Sequence, residues 1–399
     1  MRAIDLTFPK ISGRLGCFDE LKGIGILLLL LYHAGGVLVW NNYLHGDLGT
    51  DVFFLVSGLC LSLNASRMEV REFVARRVLR ILPAYWIVLT CYAVLNQVFL
   101  QHDYSPANLA VHYLGVHALF GDAWGFAIND SFWFITAILF FYGCFLAMRR
   151  LLAKTDRFLL TAAIFSTGGA LLLFFLDQSG LTGRWGFRMI DFFLGMLIGQ
   201  GFRTGRLEIP LTPVLGAALL ILLYVPYTRG IVFHPGVVAL GVMGAYLLAL
   251  RPWLHRTGEG VRLTGTLGWL GRHSLEIFLI HQPLMREYNR YLHGRWLNRA
   301  EPSDAELIIG IALSLAVTLV LSAELHKCTR WLVGKIAHGP MAAAAGPTGR
   351  KESQSGGEAG GSGDEPAGRE RKVVQADRPS RGKAGAGSSP AFPAESAEK

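Results

Sequence analysis

Phe18-Asp19-Glu20-Leu21-Lys22-Gly23-Ile24-Gly25-Ile26, then five leucines at 27–31, then Tyr32-His33-Ala34, is the stretch whose reading decides the fold. Past Glu20 it is apolar, except for one cation near its start and one histidine inside it. A helix turns about 100° per residue, so the eleven steps from Lys22 to His33 make three turns plus about 20°. The two side chains share a helix face, about 16 Å apart along the axis. If the helix spans a bilayer, Lys22 lies near an interface and His33 near mid-depth. An ionisable group at that depth marks a functional site by default. The plain alternative is a histidine hydrogen-bonded to a neighbouring helix for packing.

The bulk numbers agree with a membrane reading. The chain has 399 residues, 52% hydrophobic and only 17% charged, with a formal net charge of +9. Its mean hydropathy is +0.37. A soluble domain carries nearer a quarter charged residues, and several apolar runs here reach the roughly 20 residues a span needs. The class is a polytopic membrane protein. Its basic residues sit in short connections between apolar runs, which is a topology signal and not a nucleic-acid signal. Cys17, Cys60, Cys91, Cys144 and Cys328 are odd in number, show no CxxC spacing and lie in or beside apolar runs. They read as membrane-packing residues, not as a disulfide or zinc framework. Asp19 and Glu20 stand where a cleaved signal would carry basic residues, so the first run reads as a retained helix.

Ten spans are expected, at about 21–40, 49–64, 81–100, 131–148, 158–176, 187–203, 211–227, 231–250, 267–285 and 305–333. The fold class is therefore all-α, a polytopic bundle of about ten transmembrane helices. Arg2, Lys10 and Arg14 precede the first span, and Arg67, Arg71, Arg76, Arg77 and Arg80 join the second to the third. Residues 101–130 contain no Lys or Arg. The bias puts both termini in the cytoplasm. Arg286, Arg290, Arg295 and Arg299 disagree, since this count leaves their connection outside; they line a functional mouth or one span is misplaced. After about 339 the composition shifts to Gly, Ser, Ala, Pro and mixed charge, which cannot bury enough apolar surface to fold. Residues 1–338 read as the membrane domain and 339–399 as a disordered cytoplasmic tail.

Four further constellations stand out. Arg76, Arg77 and Arg80 are spaced to share a helix face, and guanidinium forks suit phosphate oxygens. The same stripe also describes an orientation anchor, with Tyr85 and Trp86 as interfacial aromatics. Asp51 and Ser57 flank a small-residue helix, and Ser57 with Gly58 permits close helix approach. Asp51 is a candidate to orient His33. Trp133 and Phe134 can stack a sugar ring or form an interface belt. Ser274 and His281, seven apart, share a face, and Glu276 adds a charge inside the ninth span. His112 and His117 are five apart, off one helix face, and no metal site is expected there.

Taken together and in this order, over about 15–335, these stretches resemble the acyltransferase 3 family of integral-membrane acyltransferases of bacterial type. In that family a basic residue is followed by ten others and then a histidine in the first span, as Lys22 and His33 are here. The family usually has Arg where this chain has Lys22, which keeps the charge and loses the bidentate fork. The patterns at 49–59, at Phe73, Arg76, Arg77, Arg80, Pro83 and Tyr85, at Trp133 and Phe134, and at Ser274 and His281 match as well. The resemblance implies transfer of an acyl group, commonly acetyl, from cytoplasmic acyl-CoA (acetyl-CoA) to a hydroxyl of a surface polysaccharide or lipid-linked glycan in the bacterial inner membrane. It implies no metal and no nucleic-acid partner. On that footing His33 is the general base with Asp51 and Ser57 beside it. Lys22, Arg76, Arg77 and Arg80 hold the donor, and Trp133, Glu276 and His281 meet the acceptor. A succinyl or longer donor, or a glycan or lipid transporter using the same polar residues, is the competing expectation.

Overall fold

The computed structural model describes residues 3–7, 16–37, 47–64, 68–152, 168, 188–210, 235–288 and 303–338. The helices are α1 (Gly16–Val37), α2 (Asp47–Asn64), α3 (Val70–Leu100), α4 (Pro106–Tyr113), α5 (Asp122–Gly125) and α6 (Trp133–Leu152). They continue with α7 (Met189–Thr204), α8 (Pro235–Ala245), α9 (Arg251–Leu254), α10 (Gly258–Arg272), α11 (Ser274–Pro283) and α12 (Asp304–His338). One departure from an all-helical chain is a two-stranded antiparallel ribbon, β1 (Ala3–Thr7) with β2 (Arg206–Pro210). It brings the segment before α1 beside the segment after α7. Helices coincide with eight of the expected spans, and the runs at about 158–176 and 211–227 fall outside the described residues apart from residue 168. By length and composition alone, Val70–Leu100 and Asp304–Ile336 are long and apolar enough to cross a membrane. Leu48–Leu63, Trp133–Ala147 and Val238–Leu254 are shorter apolar helices.

Glycines set the tightest packing. A Cβ on Gly58 of α2 would collide with the Phe192 carbonyl of α7, and one on Gly195 with the Leu55 carbonyl of α2. Removing both side chains lets the two backbones meet, as small residues do between apolar helices. Around that pair, Phe54 packs against Phe134 at 4.9 Å and Phe141 at 5.0 Å, joining α2 to α6. Phe134 in turn meets Phe278 of α11 at 4.7 Å.

Two ends of the bundle can be told apart. The arginine end gathers the starts of α1 and α3 and the junction of α10 with α11. There Arg80 Nη2 donates to the Arg272 carbonyl at 3.2 Å, and Glu20 Oε2 accepts from Tyr246 OH and Arg251 Nε, each at 2.7 Å. The opposite end gathers Asp51, Trp133 and Arg188 at the starts of α2, α6 and α7.

Two sequence expectations are corrected here. The ninth span is not one helix from 267 to 285. The chain breaks at His273 between α10 and α11, and α10 packs against the start of α1, where a Cβ on Gly271 would collide with the Asp19 carbonyl. Residues 101–130 are not a simple loop either. Tyr85 OH donates to the His112 carbonyl at 2.8 Å, and Trp86 Nε1 to the Tyr113 carbonyl at 2.8 Å. Tyr85 stands fifteen residues before Leu100, about 22 Å down α3, so the connection folds back along that helix. Trp86 is thus a partner of this segment and not simply an interfacial aromatic.

Overpacking a close-packed contact typically costs about 1–3 kcal/mol and sometimes more. Gly58→Val should therefore lower the thermal midpoint of the detergent-solubilised protein sharply. Gly143→Ala, which points into open space, should leave the midpoint within a degree or two of its starting value or raise it.

Candidate functional site

The His33 and His281 rings lie 5.0 Å apart between α1 and α11, tilted by 55°. The Tyr32 ring meets His33 edge-on at 5.1 Å. His281 is fully buried. Its Nδ1 faces the carbonyl oxygens of Phe278 at 2.8 Å and Ile277 at 3.2 Å. Two acceptors fix the proton on Nδ1 and leave Nε2 as a bare acceptor. Among the described residues Nε2 has no hydrogen-bond partner.

The sequence of α11 explains how this ring is held. Pro283 has no N–H, so the carbonyl four residues earlier, Leu279, loses its helical donor. Asn129 Nδ2 takes that place at 3.1 Å. The chain then passes into a π turn, Leu284–Tyr288, and the Leu284 N–H reaches His281 O. The freed Ile280 carbonyl accepts from Tyr92 OH of α3. Ser131 Oγ donates to Gln282 Oε1, and Arg286 Nη1 donates to Asp130 Oδ2 at 3.0 Å. The π turn that carries Arg286 packs against α1, the helix that carries His33. The Arg286 end of the discordant basic connection thus belongs to the histidine site, while Arg290, Arg295 and Arg299 lie outside the described residues.

The basic residues are distributed differently from one continuous stripe. Lys22 Nζ is 3.8 Å from Asp19 Oδ1. Arg76 pairs with Glu72 and its side chain is 65% exposed. Arg77 lies over the Phe73 ring at 5.5 Å and the Tyr142 ring at 5.4 Å, facing α6. Arg80 turns toward α11, its Nη1 3.9 Å from Glu276 Oε1. Glu276 is 1% exposed and also accepts from His326 Nδ1 of α12 at 2.8 Å. The His326 ring lies 4.5 Å from His273, which stacks on Trp269 at 4.2 Å. Glu276 therefore stands on the arginine side, five residues or about 7.5 Å of helix rise from His281. Of the three side chains expected at the acceptor, His281 alone touches His33.

Asp51 is placed elsewhere. Its Oδ1 accepts from Arg188 Nε at 2.9 Å, with both side chains buried. The Arg188 guanidinium lies 5.1 Å from the Trp133 ring centroid, so a cation already occupies the vicinity of that indole. Asp191, also fully buried, stands at the start of α7 three residues from Arg188. No contact between Asp51 and His33 is present among the described residues. Ser57 lies six residues along α2 from Asp51, about 9 Å of rise, and is not brought to His33. Sequence reasoning missed Arg188 and Asp191, although two charges three apart inside the expected sixth span were the available signal. It missed His326 as Glu276's partner, for which the sequence carries no local signal. Among the described residues no group of three or more His, Cys, Asp or Glu is placed to hold a metal ion.

Residues 15–323 match the family model of an acyltransferase domain. A putative membrane-bound transacylase of Komagataeibacter xylinus, BcsY, is 32% identical over 183 residues, which cover 41% of this chain and 44% of that protein. The exopolysaccharide production protein ExoZ of Rhizobium meliloti (strain 1021) is 25% identical over 285 residues, covering 63% of this chain and 80% of that protein. The match to the transacylase thus spans less than half of its length. No solved structure matches.

Breaking a buried ion pair by deleting one partner typically costs about 3–5 kcal/mol. Asp51→Ala should therefore depress the thermal midpoint and the yield of folded protein. A wild-type midpoint with activity lost would instead place Asp51 in the chemistry.

Proposed function

Because this chain belongs to the acyltransferase family, we propose that it is a membrane O-acyltransferase acting on the hydroxyl of a cell-surface or lipid-linked glycan. The donor is an acyl-coenzyme A, with acetyl the smallest group that fits the reading and succinyl or longer chains its variants. The observation that carries this is the His33–His281 pair, set on two helices whose other ends lie beside cations. α1 runs from Lys22 to His33, and α11 from Glu276 beside Arg80 to His281. The exopolysaccharide name of one relative favours a glycan acceptor. The full bundle is read as ten spans in the bacterial inner membrane with both termini cytoplasmic. The pairing of β1 with β2 is what an even number of crossings between them requires, since it puts the N-terminal segment and the segment after α7 on one side.

A polyanionic donor needs cations at an open rim. Arg76 and Arg80 are the partly solvent-facing ones, with Lys22 nearby and Arg77 held against aromatics. Arg80 meets Glu276 only at 3.9 Å, a loose contact that a phosphate's bidentate geometry can replace. The thioester arm then runs toward His33. His33 takes the proton of the acceptor hydroxyl as its oxygen bonds the acyl carbon. The carbon–sulfur bond breaks, and the imidazolium returns its proton to the thiolate. His281, with its Nε2 lone pair presented beside His33, holds the incoming hydroxyl or the His33 N–H in line.

Membranes incubated with labelled acetyl-coenzyme A and native glycan should place label in the glycan. His33→Ala should cut that transfer by about 10²–10⁴ while insertion and donor binding persist. Arg80→Ala should raise the donor KM more than it lowers kcat. Glycan crossing the membrane with no label acquired would identify a transporter instead.

A further inference from the structure

On the end of the bundle away from the arginines, the described chain forms an open cavity of about 480 Å³ that the proposed chemistry does not use. Its wall is built from the turn after α3, the start of α4 and the α5 region. Gln101, His102 and Asp103 are exposed on that wall, and Tyr104, Asn108 and Trp124 complete it. The size is that of a small-ligand site, commonly about 300–1,000 Å³.

The wall is preformed. Gln101 adopts the left-handed backbone (φ 55°), and its N–H closes α3 on the Asn96 carbonyl. Tyr104 OH accepts from Asn96 Nδ2 at 2.8 Å, so the phenol is fixed and its own proton is available to a ligand. Burial raises the Tyr104 pKa, which keeps that group a neutral O–H donor. Ser105 caps α4 by accepting from the Asn108 N–H at 3.1 Å. Asn108 is only 8% exposed, and its backbone N–H, held by Ser105, fixes the start of α4 at the wall. The Trp124 ring is backed by Phe120 at 5.6 Å and is half-buried at the cavity.

The chemistry of the wall selects the ligand. Two aromatic side chains lie among amide, imidazole, hydroxyl and carboxylate groups. Such a set suits a molecule with apolar ring faces and a rim of hydroxyls. Residues 101–130 contain no Lys or Arg, and Asp103 faces the cavity. An anionic ligand is therefore disfavoured. The position is also telling. Ala127 of the cavity wall precedes Ile128, whose carbonyl accepts from Asn96 Nδ2, and Asn129, which holds the Leu279 carbonyl two residues from His281.

We propose that this cavity binds a neutral saccharide segment of the glycan acceptor, one or more sugars away from the unit that is acylated. The proposal deepens the acyltransfer reading by naming where the acceptor chain is gripped, and for that role it rests on that reading. Binding itself does not depend on a donor, so it is measured without one.

Purified protein in detergent, with no acyl donor, is titrated with neutral tetrasaccharides of glucose, mannose and galactose and with a tetragalacturonate, following the heat of binding. At least one neutral tetrasaccharide should cause a saturable change that Trp124→Ala abolishes. Asp103→Ala should weaken binding by about tenfold, and Leu114→Ala, exposed on the same segment, should retain the wild-type response. In the labelled-donor assay Trp124→Ala should raise the glycan KM more than it changes kcat. No response to any neutral tetrasaccharide, an equal response in Trp124→Ala, tighter binding of the tetragalacturonate, or an unchanged glycan KM would overturn the proposal. Saccharide binding with no acyl transfer by the wild type would uphold the cavity and remove the enzymatic reading instead.

Discussion

The carbonyl oxygens of Leu279 and Ile280 are the point on which the site depends. A helix at this position ordinarily uses them internally. Pro283 removes one donor and the following π turn displaces the other. Both oxygens are then taken by side chains from other parts of the chain, Asn129 and Tyr92. In an apolar interior, an unpaired carbonyl is costly and a paired one is directional. The exchange therefore ties α11 to α3 and to the lead-in of α6, at the turn that carries His281. A histidine five ångströms from another is useful only if neither drifts, and these two bonds prevent α11 from sliding past its neighbours.

The remaining charges divide into those that fasten and those available to exchange. Asp51 and Arg188 are buried together, and desolvation makes such a pair weak evidence for stability but expensive to break. They join the starts of α2 and α7 where the glycine-packed pair opens. Glu276, by contrast, is a buried carboxylate whose contact with the half-exposed Arg80 is long at 3.9 Å, with His326 bonded more closely. That arrangement lets Arg80 turn to an incoming anion while His326 continues to satisfy the carboxylate. α11 thus has a rigid end at His281 and an adaptable end at Glu276.

Much of this was legible in the sequence because it is one-dimensional. The Lys22–His33 relation needs only the helical period, and apolar runs of sufficient length coincide with helices wherever the chain is described. What was illegible is what joins distant segments. Asp51 was expected near His33 because both are polar and close in span order, yet Arg188, 137 residues away, takes it. The arginines share a stripe by spacing, but neighbours from α6 and α11 pull Arg77 and Arg80 apart. The break at His273 had a weaker trace: α10 is the least apolar stretch of the expected ninth span, and a hydropathy window averages across it. Pro283 was visible, but its consequence depends on Asn129 arriving from 150 residues away.

The fold-back of residues 101–130 follows from the same rule that governs α11. Irregular backbone at membrane depth is tolerated only where protein surrounds it or where it lines a cavity. Here α3 and α6 supply the partners. Tyr85 and Trp86 bond the carbonyls of His112 and Tyr113, and Thr136 accepts from the Ala118 N–H at 3.4 Å. His112 and His117, read as separate because they are off one helical face, stack at 4.2 Å because the helix ends at Tyr113 and the chain turns at Gly115 (φ 71°). Their burial anchors the bottom of the fold-back, leaving its top to form the wall around Trp124. A segment anchored so deeply holds its outer cavity in fixed register with Asn129, and through Asn129 with the backbone that carries His281. Acceptor grip and acyl chemistry would then share one rigid element, with no separate domain needed to bring them together.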